Sequence, residues 1–288
     1  MKEGFKPKPE WLKRPWKKTE ETQELEGLID ELGLNTVCRE ASCPNYSECF
    51  ERGTATFMIL GAVCTRNCGF CGVTHSAPEL VDPNEPERVA EAVKKLNLDY
   101  VVITSVTRDD LDDGGAEHFA KTVRAIREKS PKTKIETLIP DFAGSEEALA
   151  IVIEAAPDVI SHNMETVKTL YDKVRPEADY QRSLEVIKRI AQSEGEIKAK
   201  SGIMVGVGET NEQVLELMDD LRKVDCNILT IGQYLRPSKE NIPVEKYIEP
   251  ETFDHWAEEA REKGFEFVAS APFVRSSYHA GEVFKGEG

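Results

Sequence analysis

The chain has 288 residues, of which 40% are hydrophobic and 31% charged. That suffices for one large domain or two modest ones and excludes a disordered tail or a collagen-like fibre. Lys plus Arg number 37 against 53 Asp plus Glu, and the resulting net charge of −16 argues against binding a nucleic-acid backbone. No apolar run approaches the roughly 18 residues of a spanning helix, and the start of the chain lacks the apolar stretch and cleavage site of a signal peptide, so a cytoplasmic globular protein without a membrane segment is expected.

Residues 1–18 come first and are basic, with seven Lys or Arg against Glu3 and Glu10. Such a segment is either a solvated terminus or an arm for an acidic partner. Next comes NTVCREASCPNYSECFERG, a polar stretch that reads as a loop upstream of any regular pattern, lying over the mouth of the domain. From there the chain alternates. Strands are expected near 56–61, 100–106, 134–139, 158–162, 198–205, 227–233 and 265–270, each rich in Val, Ile, Leu or Phe as in a sheet buried on both faces. Helices are expected near 85–97, 115–129, 145–155, 180–193, 210–223 and 251–263. Ser145, Thr210 with Gln213, and Pro250 mark helix starts; Gly195 and Gly264 mark ends. Repeated β-α units predict an α/β protein with a partial or complete parallel barrel.

Six of the seven cysteines fall between positions 38 and 71, as Cys38-x4-Cys43-x5-Cys49 and Cys64-x3-Cys68-x2-Cys71. An odd total without a secretion signal is a poor disulfide framework. Neither triplet supplies the four paired ligands usual for structural zinc. Three thiolates on a short loop suit a 4Fe–4S cube with one iron left open for a ligand. The second triplet follows the strand at 56–61, where a parallel barrel carries its chemistry. Asn67 and Gly69 are expected at positive φ, and Phe70 is expected to shield one side of the group from water. Cys226, in DCNILTI, reads as a small core residue.

The CxxxCxxC loop resembles that of the radical S-adenosylmethionine superfamily, with the final spacing of its lipoyl synthases, and CREASCPNYSEC resembles the auxiliary-cluster motif of the same enzymes. Similarity continues through KPEWLKRP, GTATFMILG, TSVTRDDLDDGGA, SHNMETV, KSGIMVGVGET, TIGQYLRPS and PFVRSSYHA, covering residues 8–282 in order. The resemblance implies a partial (β/α)6 barrel at 53–263, with an N-terminal extension at 1–52 and a C-terminal extension at 264–288 covering the barrel mouth. It implies a radical S-adenosylmethionine sulfurtransferase that inserts two sulfur atoms, at C6 and C8 of a protein-bound octanoyl-lysine, with the auxiliary cluster as donor. Two 4Fe–4S clusters and S-adenosylmethionine are the implied cofactors: Cys64, Cys68 and Cys71 on one cluster, and Cys38, Cys43, Cys49 and Ser277 (alternatively Ser276) on the other.

For S-adenosylmethionine the resemblance points to Phe70, Gly114, Gly115, Asn163, Glu165, Glu209, Gln233 and Arg236. Read as residues alone, the Gly114–Gly115 pair is equally a turn, His162 equally a satisfied core histidine, and Arg175 either a carboxylate partner or a surface residue. The implied partners are octanoylated lipoyl domains of 2-oxoacid dehydrogenases or the glycine-cleavage H protein, a ferredoxin or flavodoxin reductant, and iron–sulfur cluster carrier proteins.

Overall fold

The structure is a computed structural model that describes residues 7–13, 20–40, 45, 48, 54–278 and 280–284. Its centre is an eight-stranded sheet. Seven strands run parallel: β2 (Thr54–Ile59), β5 (Tyr100–Ser105), β6 (Lys134–Leu138), β7 (Val159–Ser161), β8 (Lys198–Val205), β9 (Ile228–Gln233) and β10 (Phe267–Ser270). The short β1 (Asn35–Thr36) joins the β2 edge antiparallel, so β1 and β10 end the sheet. Two further strands, β3 (Val63–Cys64) and β4 (Thr74–His75), pair with each other outside it.

The chain therefore makes six β-α units and a last strand, an open barrel. The expected strands and helices are all present, displaced at their ends by a residue or two. The crossover helices are α3 (Glu85–Lys95), α4 (Ala116–Lys129), α5 (Glu146–Glu154), α7 (Tyr180–Ala191), α8 (Asn211–Lys223) and α9 (Pro250–Glu262), with the single turn α6 (Tyr171–Val174) before α7. The Ser145 hydroxyl accepts the Ala148 N–H, Thr210 and Gln213 form a reciprocal capping box, and Pro250 opens α9.

Alternation along each strand divides the side chains between two faces. Val101 and Ile103 face the helices and join a core with Phe119, Ile126 and Ile135. Tyr100 and Val102 face the other way, into the barrel, against Leu138 and Ala280. On this inner face the Lys200 ammonium bonds both oxygens of Glu136 at 2.8 Å, and the Tyr100 hydroxyl donates to Glu136 at 2.7 Å. After β10 the chain turns back along the same face. A Cβ on Gly232 would lie 2.0 Å from the Val274 carbonyl oxygen, so only glycine lets the returning segment lie on β9.

The N-terminal region departs from the expected loop. Helix α1 (Glu20–Leu32) buries Leu25 and Ile29 and packs near α3, and β1 leads into a helical turn, α2 (Val37–Glu40), that contains Cys38. Leu25, Leu28, Ile29 and Leu32 have helical spacing, but Gly27 interrupts the signal. Cys43 and Cys49 lie outside the described residues. Cys226 is fully buried between β8 and β9, its Sγ 3.4 Å from the Ile228 carbonyl.

Candidate active site

Strand β2 delivers the chain to a strained turn at its C-terminal end, where Leu60 has φ 68° and Gly61 φ 90°. Two buried side chains hold that turn. The Glu85 carboxylate accepts the Leu60 N–H at 2.8 Å while pairing with His118 at 2.7 Å, and Arg108 donates to the Leu60 carbonyl at 3.3 Å. The loop that follows carries Cys64, Cys68 and Cys71, all half-buried free thiols. Arg66, between the first two, is buried; it forks onto Asp109 at 2.6 and 2.8 Å and reaches Asp141 at 2.8 Å. The loop is thereby fastened to the ends of β5 and β6.

Its far side is equally fixed. The Gly69 N–H donates to Val174 at 3.0 Å, Ile242 donates to the Gly69 carbonyl at 2.9 Å, and the Asn241 amide donates to the Cys71 carbonyl at 2.7 Å. Neither Asn67 nor Gly69 adopts the expected positive φ. Glycine is needed at 69 for space instead, since a Cβ would come within 2.9 Å of Ile242 and 3.1 Å of the Lys173 carbonyl. Phe70 packs against Val174, Val207, Tyr234 and Val244, an apolar wall beside the thiols.

The electrostatics suit a metal group. Cys64 Sγ accepts the Thr107 N–H at 3.3 Å, and Cys71 sulfur accepts from the Val73 backbone. Burial, together with the neighbouring thiols and Glu165, pushes Cys68 up to about 12 against the pull of Arg175. Thiols so disposed ionise together when a bound cation supplies the missing positive charge. Among the described residues no three His, Cys, Asp or Glu side chains form a cage for a single ion. A cube takes each thiolate on a different iron, so it needs no such convergence. Three adjacent thiols on a rigid, partly dry loop fit an iron–sulfur cluster.

Opposite the loop, beyond β7, Asn163 and Glu165 come together. Asn163 Nδ2 donates to Glu165 at 3.0 Å and to Ser276 Oγ at 2.7 Å. Glu165 sits at φ 65°, drawn across to β8 by backbone bonds with Gly202 and Met204. Burial raises its carboxyl, with Arg175 acting in the opposite sense. Arg175 is buried rather than superficial. His162 is a satisfied core histidine, its ring bonded to the Ile139 carbonyl at 3.0 Å and Ser183 at 3.1 Å.

Other expected contact residues are occupied by their own loops. The amides of Gly114 and Gly115 donate to the Leu111 carbonyl and the Asp113 carboxylate, so that turn has only carbonyl oxygen to offer an amino group. The Glu209 carboxylate accepts three successive amides, from Gly206 at 2.5 Å, Val207 at 3.0 Å and Gly208 at 3.1 Å. Gln233 donates to the carbonyls of Val205, Tyr234 and Lys246 at 3.1 Å and accepts the Ile248 N–H at 2.8 Å. Arg236 bonds the Asn241 and Lys239 carbonyls, and so backs the residue that holds Cys71.

The C-terminal segment that carries RSSY, residues 273–278, meets the first-triplet region at two points. Buried Asn45 donates to the Phe273 carbonyl at 2.6 Å, and the Tyr278 hydroxyl donates to Glu48 at 2.9 Å. Arg66, Glu85, Arg108 and Asp141 escaped the sequence reading. Arg66 alone carried a signal, a charge inside a cysteine loop, which must find a partner if the loop is buried.

The Radical SAM superfamily profile matches residues 58–221, over half of the chain. A lipoyl synthase from Alkaliphilus metalliredigens is 53% identical over 282 residues, covering 98% of this chain and 97% of its own length. One from Caldicellulosiruptor saccharolyticus is 55% identical over 278 residues, covering 96% and 98%. One from Escherichia coli O1:K1 / APEC is 52% identical over 288 residues, covering 99% and 89%. Among solved structures, HydG, a maturase of the FeFe-hydrogenase, aligns with a TM-score of 0.62 at 13% identity over 93% of this chain and 67% of its own. Streptococcus suis SuiB bound to S-adenosylmethionine aligns at 0.61 and 13% over 78% and 53%. These two likenesses speak to the fold, whereas identity above half along the whole chain speaks to the family. Together with the cysteine loop at the end of β2, they establish that the chain belongs to the lipoyl synthase family of the radical S-adenosylmethionine superfamily.

Proposed function

We propose that this protein inserts two sulfur atoms, at C6 and C8, into an octanoyl chain carried on a lysine of a partner protein. Unactivated C–H bonds are far too weakly acidic for any side-chain base, so the chemistry belongs to cofactors and the protein binds and orients them. When bound, S-adenosylmethionine and its cluster supply a 5′-deoxyadenosyl radical that takes hydrogen from those carbons, and an auxiliary cluster supplies the sulfur.

The chain's part is holding and exclusion. Cys64, Cys68 and Cys71 would ligate the first cluster, on a loop kept in place by Glu85, Arg66 and Asn241. Phe70 excludes water on one side. Asn163 and Glu165 offer an amide and a carboxylate to the polar part of S-adenosylmethionine, and Arg175 a cation to its carboxylate. Gly114 and Gly115, Glu209, Gln233 and Arg236 keep the proposed site by shaping its loops. Cys38, Cys43 and Cys49 would hold the auxiliary cluster, with Ser277, or else Ser276, as the oxygen ligand. Oxygen is the harder ligand and leaves iron–sulfur iron more readily, which suits a cluster that must give up sulfur.

The observation that carries this reading is the meeting of the two ends of the chain. Asn45 and Glu48 lie among the first-triplet cysteines and bond Phe273 and Tyr278, on either side of the serine pair, while Ser276 bonds Asn163. The reading extends to a cytoplasmic setting, an octanoylated lipoyl domain or glycine-cleavage H protein as substrate, a ferredoxin or flavodoxin as reductant, and carrier proteins that rebuild the clusters. No described helix is long and apolar enough to cross a membrane.

The test is anaerobic incubation of cluster-loaded protein with dithionite, S-adenosylmethionine and an octanoyl-lysine peptide. The expected product is the 6,8-dithiol, heavier by two sulfurs because two C–H bonds have become C–SH, with two 5′-deoxyadenosines released. Cofactor cleavage without sulfur gain by fully loaded protein would send the search to another substrate.

A further inference from the structure

Behind the cysteine loop runs a chain of buried polar side chains that the proposed chemistry does not use. Arg175 Nη1 lies 2.8 Å from the Tyr171 hydroxyl, which lies 2.8 Å from Ser183 Oγ. Ser183 Oγ lies 3.1 Å from His162 Nε2, and His162 Nδ1 lies 3.0 Å from the Ile139 carbonyl. All four residues are buried, from 0% exposed at Ser183 to 8% at Arg175. With a neutral histidine, one assignment of protons satisfies every link. A guanidinium can only donate and a carbonyl can only accept. Arg175 therefore donates to Tyr171, Tyr171 to Ser183, Ser183 to His162, and His162 to Ile139.

In that arrangement the histidine carries its single proton on Nδ1. Burial and the Arg175 charge lower it to about 4, in keeping with a neutral ring. The chain reaches across three parts of the fold: the end of β7, the α6 turn and helix α7. Its cationic end is also fixed from the other side, because Nη1 donates to the carbonyls of Asn163 at 2.7 Å and Met164 at 3.4 Å. The guanidinium also lies 5.3 Å from the Tyr171 ring centroid. All three of these hydrogen bonds use Nη1, while Nε and Nη2 have no hydrogen-bond partner among the described residues. The charge is nevertheless felt at both Cys68 and Glu165.

Four buried polar groups in one line are costly unless every link is made, and a fully satisfied line fixes orientation. We propose that Tyr171, Ser183 and His162 are positioning residues for Arg175, gripping one edge of its guanidinium so that the other edge faces an anionic group bound between Cys68 and Glu165. The inference rests on the reading of the region around Cys68, Glu165 and Arg175 as the S-adenosylmethionine site. It assigns work to three residues that never touch the cofactor.

A double-mutant cycle separates this role from a purely structural one. Cluster-loaded wild type, Tyr171→Phe, Ser183→Ala and Arg175→Gln are compared by equilibrium dialysis with S-adenosylmethionine. The cofactor-induced change in the electron paramagnetic resonance signal of the reduced cluster is followed in parallel, and iron content and Tm are recorded for each. Tyr171→Phe and Ser183→Ala should each weaken binding roughly tenfold at equal iron content, as expected when a hydrogen bond to a charged group is lost. In the Arg175→Gln background neither should weaken it further, and Ser183→Thr, which keeps the hydroxyl, should recover most of the affinity. Wild-type affinity in both single variants, or losses that multiply in the Arg175→Gln background, would overturn the proposal. Wild-type protein that is fully loaded yet does not bind S-adenosylmethionine would overturn the site reading and, with it, this inference.

Discussion

Two buried titratable groups behind the cysteine loop contribute to how the protein responds to acid. His162 is lowered to about 4 by burial and by Arg175, with Asp141 opposing and Arg66 reinforcing the shift. Asp141 is fully buried yet lowered to about 2, because its bonds and charge pairing with Arg66, and its neighbours His162 and Arg182, outweigh desolvation. An unfolded histidine takes its proton near pH 6.5, whereas this one resists until about 4. The unfolded state thus binds more protons across that interval, and stability falls as pH drops through it, by about 3 kcal/mol in all. Asp141 acts lower: its contribution is present above about 3.8 and is lost as pH falls towards 2. Chemical denaturation at pH 6.5, 5 and 4 should give a stability difference between wild type and His162→Gln that shrinks as pH falls. A constant difference would contradict the assignment. Individual residues were legible in the sequence where type and spacing place them, as with the Cys64, Cys68 and Cys71 loop, which follows β2 as expected. They were not legible where partners are far apart in the chain: Arg66 with Asp141, or Glu85 with the Leu60 amide. Gln233 and Glu209 occur in matching motifs, but Gln233 is spent on backbone groups that the fold brings near and Glu209 on the three amides just before it.

Elements were more legible than their junctions. Buried parallel strands read as apolar runs, and capping residues such as Ser145 and Thr210 act over three positions, so local sequence is enough to find them. Helix α1 was hidden by Gly27, and the short β1 exists because β2 offers it an edge, a tertiary cause with no local signature. The returning C-terminal segment is another such junction. Gly232→Ala would set a methyl group 2.0 Å from the Val274 carbonyl oxygen, and the segment must move to relieve it. The cost should be about 1–3 kcal/mol, as for other overpacked sites. Limited proteolysis should cut the variant after β10 faster than wild type, and 5′-deoxyadenosine formation should outlast sulfur insertion. Equal proteolysis rates would show that the segment is not held there.

At the scale of the whole molecule, an acidic body carries a basic first segment, with Lys2, Lys6, Lys8, Lys13, Arg14, Lys17 and Lys18 within residues 1–18. Opposite charge would draw an acidic partner to this segment rather than to the acidic body. Neutralising these residues should slow turnover of an acidic octanoylated lipoyl domain several-fold at low salt and leave turnover of a free octanoyl peptide unchanged. Equal rates on the protein substrate would remove the docking role.

The central claim is a division of labour, in which one triplet serves radical formation and the other serves sulfur supply. The most direct measurement is mass spectrometry of the octanoyl peptide beside a count of 5′-deoxyadenosine, for wild type and for a variant with Cys38, Cys43 and Cys49 all replaced by Ala. The variant should retain cofactor cleavage and insert no sulfur, while wild type does both. Sulfur insertion by the variant at the wild-type rate would contradict the account.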